Sequence, residues 1–276
     1  VEVERAVVPG TLPAEAMRPV IAAAEDGAEV SVAVLDVASG RRAVHGTGLF
    51  ETASIVKVDI LAALLLRAQD EGRSLTAQEK RYAAAMIEVS DNASASALWT
   101  AIGGAAGLDA ANGRLGLTDT EGGAGTLWGL TRTTAADQLT LLQQVFMGRG
   151  DSGEASRLSE ASRAYLQGLM GSVAEDQDWG VSAAGGTRTA ERRFALKNGW
   201  LPRTATGLWV INSVGRVTTA EGREFLVAVV SKGSTTKAKG ISLVESAARA
   251  AVSVFTVRSA GVHVQKLSPY ESNESS

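Results

Sequence analysis

Hydrophobic and polar positions along the chain change period several times. Residues 30–37 (VSVAVLDV) are dense in β-branched side chains and predict a strand. Ala38-Ser39-Gly40 is a turn, and residues 41–45 read as the hairpin partner. Before this strand, residues 13–24 predict a short helix. After it, an apolar run with helical spacing covers 55–69 and stops at Gly72. Residues 76–88 open with Thr76-x-x-Glu79, a capping box. Further helices are predicted over 93–102, closed by Gly103-Gly104, and over 105–115. Residues 116–130 (GLTDTEGGAGTLWGL) are glycine-rich and polar and predict a loop. Residues 133–146 form an amphipathic helix with Leu139, Leu142, Val145 and Phe146 on one face, and 159–170 another, capped by Ser159. The last third returns to strands at 194–196, 208–214 and 225–230, followed by an Ala-rich helix over 241–255.

The order is therefore strands, a helical block, then strands and a terminal helix. The simplest assembly is an α/β (α+β) fold: one antiparallel sheet made of the early and late strands, flanked by helices, with the helical block inserted. One domain over 1–265 is expected. Its sheet part would be about 1–50 and 192–265, its helical part about 51–191, and 266–276 a disordered tail. A cleft where the two parts meet is a favoured ligand site.

Composition narrows the chemistry. The chain has no cysteine, so a disulfide framework, thiolate metal sites and a cysteine nucleophile are excluded. Its only histidines are His45 and His263, which makes no case for a metal site and leaves a Ser-His-Asp triad two candidates; no Gly-x-Ser-x-Gly elbow accompanies them. The net charge of −3 gives no reason to expect a nucleic-acid partner. The longest apolar run, 60–66, is too short to span a bilayer. No cofactor is implied. The chain opens Val-Glu-Val-Glu without an apolar leader and reads as a mature or trimmed form.

Three short motifs carry chemistry. In Ser54-Ile55-Val56-Lys57, serine and lysine are three apart at a predicted helix start, on one face, so the amine can reach the hydroxyl. The helix N-terminus favours developing negative charge, and burial beside another cation would free the amine to act as a base. Taken alone, the pair reads first as a helix-capping serine and a snorkelling lysine. Ser90-Asp91-Asn92 lies at a helix junction, where capping alone would explain all three residues. Functionally it offers a relay hydroxyl and an amide. Lys197-Asn198-Gly199 ends a predicted strand and would read alone as a strand and an Asn-Gly turn. Functionally it brings a second cation, with the Trp200 N–H as an oxyanion donor.

Together and in this order, the three motifs resemble the S-x-x-K, S-D-N and K-x-G set of class A β-lactamases and penicillin-recognising serine hydrolases. The likeness extends over about residues 30–255, including 75–98 around Ser90 and Thr131-Arg132-Thr133-Thr134 after the loop. It implies that Ser54 forms an acyl-enzyme and Lys57 serves as general base or relay. Ser90 would pass a proton to the leaving nitrogen, Asn92 bind the substrate amide, and Lys197 act electrostatically. The Ser54 and Trp200 N–H groups would form the oxyanion hole, with Asn198 and Gly199 beside the substrate. The substrate would be a small β-lactam or a peptidoglycan-like peptide, and the protein exported; oligomeric state is not readable from the sequence, and a monomer is the default expectation. β-Lactam hydrolysis is the leading expectation. A D-alanyl-D-alanine carboxypeptidase or other amide or ester hydrolase is the first alternative, a non-hydrolysing β-lactam-binding or scaffold protein the second.

The sequence departs from that pattern in places. Asn198 stands where the family has a hydroxyl that helps bind the substrate carboxylate; Arg203 could substitute or be a solvated charge. No R-x-E-x-x-L-N glutamate occurs in the loop. Glu121 is the candidate base for the hydrolytic water, against a reading as a solvated carboxylate; Asp119 is the only other carboxylate there. The stretch between Ser54 and Ser90 is short for the family. Trp128 is a candidate for lining the site.

Overall fold

The computed structural model describes residues 10–148, 155–186 and 193–256. Eight strands and eight α-helices are described: β1 Gly10–Thr11, α1 Ala14–Ala23, β2 Glu29–Asp36, β3 Arg42–His45, β4 Phe50–Glu51, α2 Val56–Asp70, α3 Ala77–Glu88, α4 Asn92–Ile102, α5 Gly104–Leu115, β5 Arg132–Thr133, α6 Ala135–Phe146, α7 Glu160–Met170, β6 Phe194–Pro202, β7 Trp209–Thr218, β8 Glu224–Ser234 and α8 Lys237–Thr256. Six strands form one sheet in the order β1-β3-β2-β8-β7-β6; β4 and β5 pair separately. Early and late strands meet at β2 and β8, which run antiparallel from Glu29↔Lys232 to Asp36↔Phe225. Among the described strands, only the β1–β3 pair is parallel.

Both faces of the sheet are covered, and alternation along the strands supplies both. Val32 and Val34 of β2, with Val227 and Val229 of β8, pack under α1 and α8 with Met17, Val244 and Ala248. Ala33 and Leu35, with Ala228 and Val230, face the helical block, where Leu139 and Leu142 of α6 meet them. Helix α2 is buried almost all round from Val56 to Leu66, as expected of a central helix rather than a surface one. Caps set the helix starts. Thr76 makes both bonds of its capping box with Glu79, Thr134 caps α6 and Ser159 caps α7.

Strand β6 corrects one sequence expectation. It does not end at the Lys197-Asn198-Gly199 motif but continues to Pro202, paired throughout with β7 from Phe194↔Val217 to Pro202↔Trp209. Asn198-Gly199 is held extended by its ladder partners Ser213 and Asn212, so the local turn preference is overridden. The two-residue strands β1, β4 and β5 are too short to show a period and were not expected. The C-terminal stretch assigned to a tail lies outside the described residues.

Candidate functional site

Ser54 sits in a 3₁₀ turn, Ala53–Ile55, that leads straight into α2. Ala53 has φ +47°, a left-handed conformation that costs a β-carbon-bearing residue about 1–2 kcal/mol and must be held by its surroundings. Three neighbours hold it. Thr52 N donates to Thr131 O at 2.8 Å. The Asn212 amide in β7 donates to the carbonyls of Glu51 and Thr52 at 2.8 and 2.9 Å, and its own oxygen accepts from Ser231 N at 3.0 Å. Gly199 in β6 packs so closely that a β-carbon there would stand 2.7 Å from Ser54 N and 2.8 Å from Thr52 O. Asn212 was not expected from sequence. The signal available was a carboxamide directly after the apolar run Trp209-Val210-Ile211.

Ser90 is the second non-glycine residue with left-handed backbone among those described, at φ +58°. It lies in the α3–α4 connection, just before Asp91, which caps α4 by accepting from Ser94 N at 2.6 Å. The twist turns both the carbonyl and the hydroxyl of Ser90 toward Lys57. The Lys57 ammonium donates to Ser90 O at 2.7 Å, Ser90 Oγ at 2.9 Å and Asn92 Oδ1 at 2.8 Å. Lys197, reaching across from β6, donates to the same Ser90 Oγ at 3.0 Å and to Asn198 O at 3.1 Å. Both lysines are fully buried. Burial pushes the Lys57 amine down to about 7, with the Asp91 carboxylate pulling the other way. Burial, and then the neighbouring Lys57 charge, push Lys197 well below the usual lysine range.

The structure thus brings Lys57, Ser90, Asn92 and Lys197 to one point, with Gly199 against the Ser54 turn. Other candidates lie elsewhere. Asn198 follows Lys197 on an extended strand, so its side chain leaves by the opposite face. It is buried and donates to Gln177 O and Trp179 O, both at 2.9 Å. That corrects its expected contact with substrate: period-two alternation cannot aim Lys197 and Asn198 at one ligand. The Trp200 side chain shares that opposite face, its ring 6.0 Å from Trp179 and 4.1 Å from the Lys237 ammonium. Only its backbone on edge strand β6 remains available to the cleft. Arg203 lies 3.5 Å from Glu51.

Glu121 is also corrected. Its backbone bridges Arg132 in both directions at 2.9 Å, and its exposed carboxylate pairs with the Arg132 guanidinium. It is not directed at Ser54 or Lys57. The glycine-rich loop instead presents Trp128 to the site: the indole centroid is 5.0 Å from Lys57 Nζ, and its N–H donates to Ser96 Oγ at 3.1 Å. His45 lies on β3, at the other side of the sheet from β6, and accepts through its carbonyl from Ser31; His263 is outside the described residues. Among the described residues no cluster of His, Asp and Glu could hold a metal, and no described helix is long and apolar enough to cross a membrane.

A model described as the beta-lactamase enzyme family matches residues 12–82 and 78–255. Curated relatives from Mycobacterium tuberculosis and Mycobacterium bovis, named "Putative lipoprotein LppW", are 34% identical over 143 residues, 51% of this chain and 45% of theirs. The match therefore spans about half the length of either. Solved structures share the fold at low identity. A PBP-A mutant in an acyl-enzyme complex with penicillin G has a TM-score of 0.72 at 21% identity, covering 90% of this chain and 99% of that one. TLA-3 extended-spectrum beta-lactamase has 0.73 at 16%, covering 88% and 98%. A beta-lactamase from Chitinophaga pinensis has 0.71 at 20%, covering 87% and 99%.

Proposed function

The chain belongs to the beta-lactamase enzyme family and has its serine β-lactamase-like hydrolase fold; we propose that Ser54 is its acylating nucleophile toward β-lactams or related amides, and that the acyl-enzyme is hydrolysed slowly. The observation that carries this is the single Ser90 hydroxyl shared by two buried lysines. Neutral Lys57 takes the Ser54 proton as Oγ bonds to the substrate carbonyl carbon. The carbonyl electron pair moves to oxygen, facing the Ser54 and Trp200 N–H groups. When the tetrahedral centre collapses, the C–N bond breaks. Ser90 Oγ gives its proton to the leaving nitrogen and is resupplied by the Lys57 ammonium. Lys197 holds the hydroxyl from the other side and adds positive charge.

Two observations support slow release. Glu121 is turned away to Arg132, and Trp128 covers Lys57. On this reading β-lactam turnover is weak. A peptide amidase of the carboxypeptidase kind, or a protein that retains the β-lactam it has opened, fits better than a proficient β-lactamase. The PBP-A mutant's acyl-enzyme with penicillin G and the lipoprotein name of the mycobacterial relatives favour an exported protein acting outside the cytoplasm.

The test is paired incubation with a fluorescent penicillin and a chromogenic cephalosporin, beside Ser54→Ala. Stable labelling lost in the variant, with little colour change, is the expected result. Rapid turnover would refute slow release. Neither labelling nor turnover would refute the β-lactam-like substrate class.

A further inference from the structure

The glycine-rich loop between α5 and β5 is tied down at several points. Gly122 N donates to Asp109 Oδ1 at 2.7 Å, Gly123 N to Thr131 Oγ1 at 3.0 Å, and Trp99 Nε1 to Gly125 O at 2.8 Å. A β-carbon at Gly123 would stand 2.1 Å from Leu127 O, so only glycine permits this tight fold. Its product is a fixed Trp128, locked by the 3.1 Å bond to Ser96 on α4. The loop also reaches the nucleophile's turn: a β-carbon at Gly129 would come within 4.0 Å of Ala53 Cα.

The indole is itself half-buried, with solvent on its outer side, whereas Lys57 beneath it is fully buried. The three ammonium donors are already occupied by Ser90 and Asn92. Lys197 and Asp91 are the other charges around it. The ring therefore closes an open side of the lysine. A water that is to attack an acyl group on Ser54 needs a base beside it, and the only loop glutamate points away.

We propose that Trp128 is a positioning residue that keeps water from Lys57 and thereby sets the lifetime of the Ser54 acyl-enzyme. This rests on the acylation reading above but makes a separate claim. Truncating the indole leaves room for several waters at about 30 Å³ each, directly over the amine. Acylation needs only the substrate, Lys57 and Ser90 and should change little. Deacylation should gain its missing reactant.

Trp128→Ala and Trp128→Phe test it, each checked for native circular dichroism. Two quantities are read: the half-life of the acyl-enzyme formed with fluorescent penicillin, and the Lys57 titration by NMR of the ¹³C-labelled side chain. In Trp128→Ala the half-life is expected to fall at least tenfold, with the acylation rate, read at a pH above the Lys57 titration of both proteins, within about threefold of the parent. The Lys57 titration should move upward, because water relieving the burial that chiefly depresses it outweighs the lost contact of the ammonium with the indole face. Trp128→Phe, which keeps an apolar ring, should retain the parent's lifetime and titration. An unchanged Lys57 titration in folded Trp128→Ala overturns the water-exclusion claim, whether or not penicillin labels the protein. An unchanged half-life with a shifted titration overturns the control of lifetime. If penicillin labels neither protein, the β-lactam reading fails. The lifetime is then read from the burst and steady phases of p-nitrophenyl acetate hydrolysis, where a tenfold shorter lifetime in Trp128→Ala supports the control of lifetime and an unchanged one overturns it.

Discussion

Lys57 and Lys197, from opposite halves of the chain, converge on one oxygen: Ser90 Oγ accepts from the first at 2.9 Å and from the second at 3.0 Å. A hydroxyl donating its own proton to a leaving group while two cations hold its lone pairs is well placed as a relay. Ser90→Ala removes that oxygen and leaves the backbone carbonyl that also binds Lys57. Acylation by fluorescent penicillin is expected to slow by about 100-fold, the lower end for a lost proton-transfer group. A rate within a few-fold of the parent would remove Ser90 from the relay.

Lys57 acts as a base only when neutral. With its amine held near 7, acylation should rise with pH through about 7 and level off above, where an ordinary lysine would need pH above 10. Stability carries a matching sign. The folded protein binds fewer protons than the unfolded chain between about 7 and 10.5, so this group's contribution to stability increases with pH across that window. A pH–rate profile of labelling checks the first; a flat profile from pH 6 to 9 contradicts it.

Gly199→Ala introduces a β-carbon 2.7 Å from Ser54 N and 2.9 Å from Ile55 N. Backbone lies on the far side, so the turn must shift. Overpacking of this kind costs about 1–3 kcal/mol. Acylation should fall at least 100-fold with a lowered melting temperature, read by labelling and thermal unfolding. Normal labelling would mean that the turn accommodates the methyl group.

Asp59, two residues after Lys57 on α2, is completely buried, and burial raises its carboxyl to about 8, with the Gln138 amide opposing and the Asp137 carboxylate adding to the rise. The folded state keeps a proton that the unfolded chain releases from about pH 4 upward. Stability contributed by this group is complete at low pH and is lost as pH climbs toward 8. Asp59→Asn, which cannot ionise, should flatten that loss: its melting temperature relative to the parent rises between pH 5 and 9. A constant difference across that range would show that Asp59 does not titrate there.

Several features were readable in the linear chain. The helices after Thr76 and Ser159 announce themselves through caps, and the one after Ser54 through period, because both depend on residues within a turn or two of one another. The Lys57–Ser90–Lys197 set was readable as motifs, since residue type and order suffice. Asn198 was misassigned because its direction depends on β6 running on to Pro202, and that length is set by pairing with β7 rather than by residues 194–199. Glu121, read from sequence either as a base for the hydrolytic water or as a solvated carboxylate, stayed undecided for a related reason. A loop with glycines at 122, 123 and 125 has no intrinsic direction, and distant groups such as Asp109, Arg132 and Ser96 decide which side chain it delivers.

By itself, then, the sequence determined the layered fold and pointed to Ser54, Lys57, Ser90 and Lys197 as the candidate acylating set, because local period and short motifs survive without knowledge of distant contacts. Only the tertiary structure decided that two lysines share one hydroxyl, that Asn198 faces away, and that Trp128 rather than a glutamate covers Lys57. Each of these depends on segments far apart in the chain meeting across the junction of sheet and helices, where packing and backbone pairing outweigh local preference.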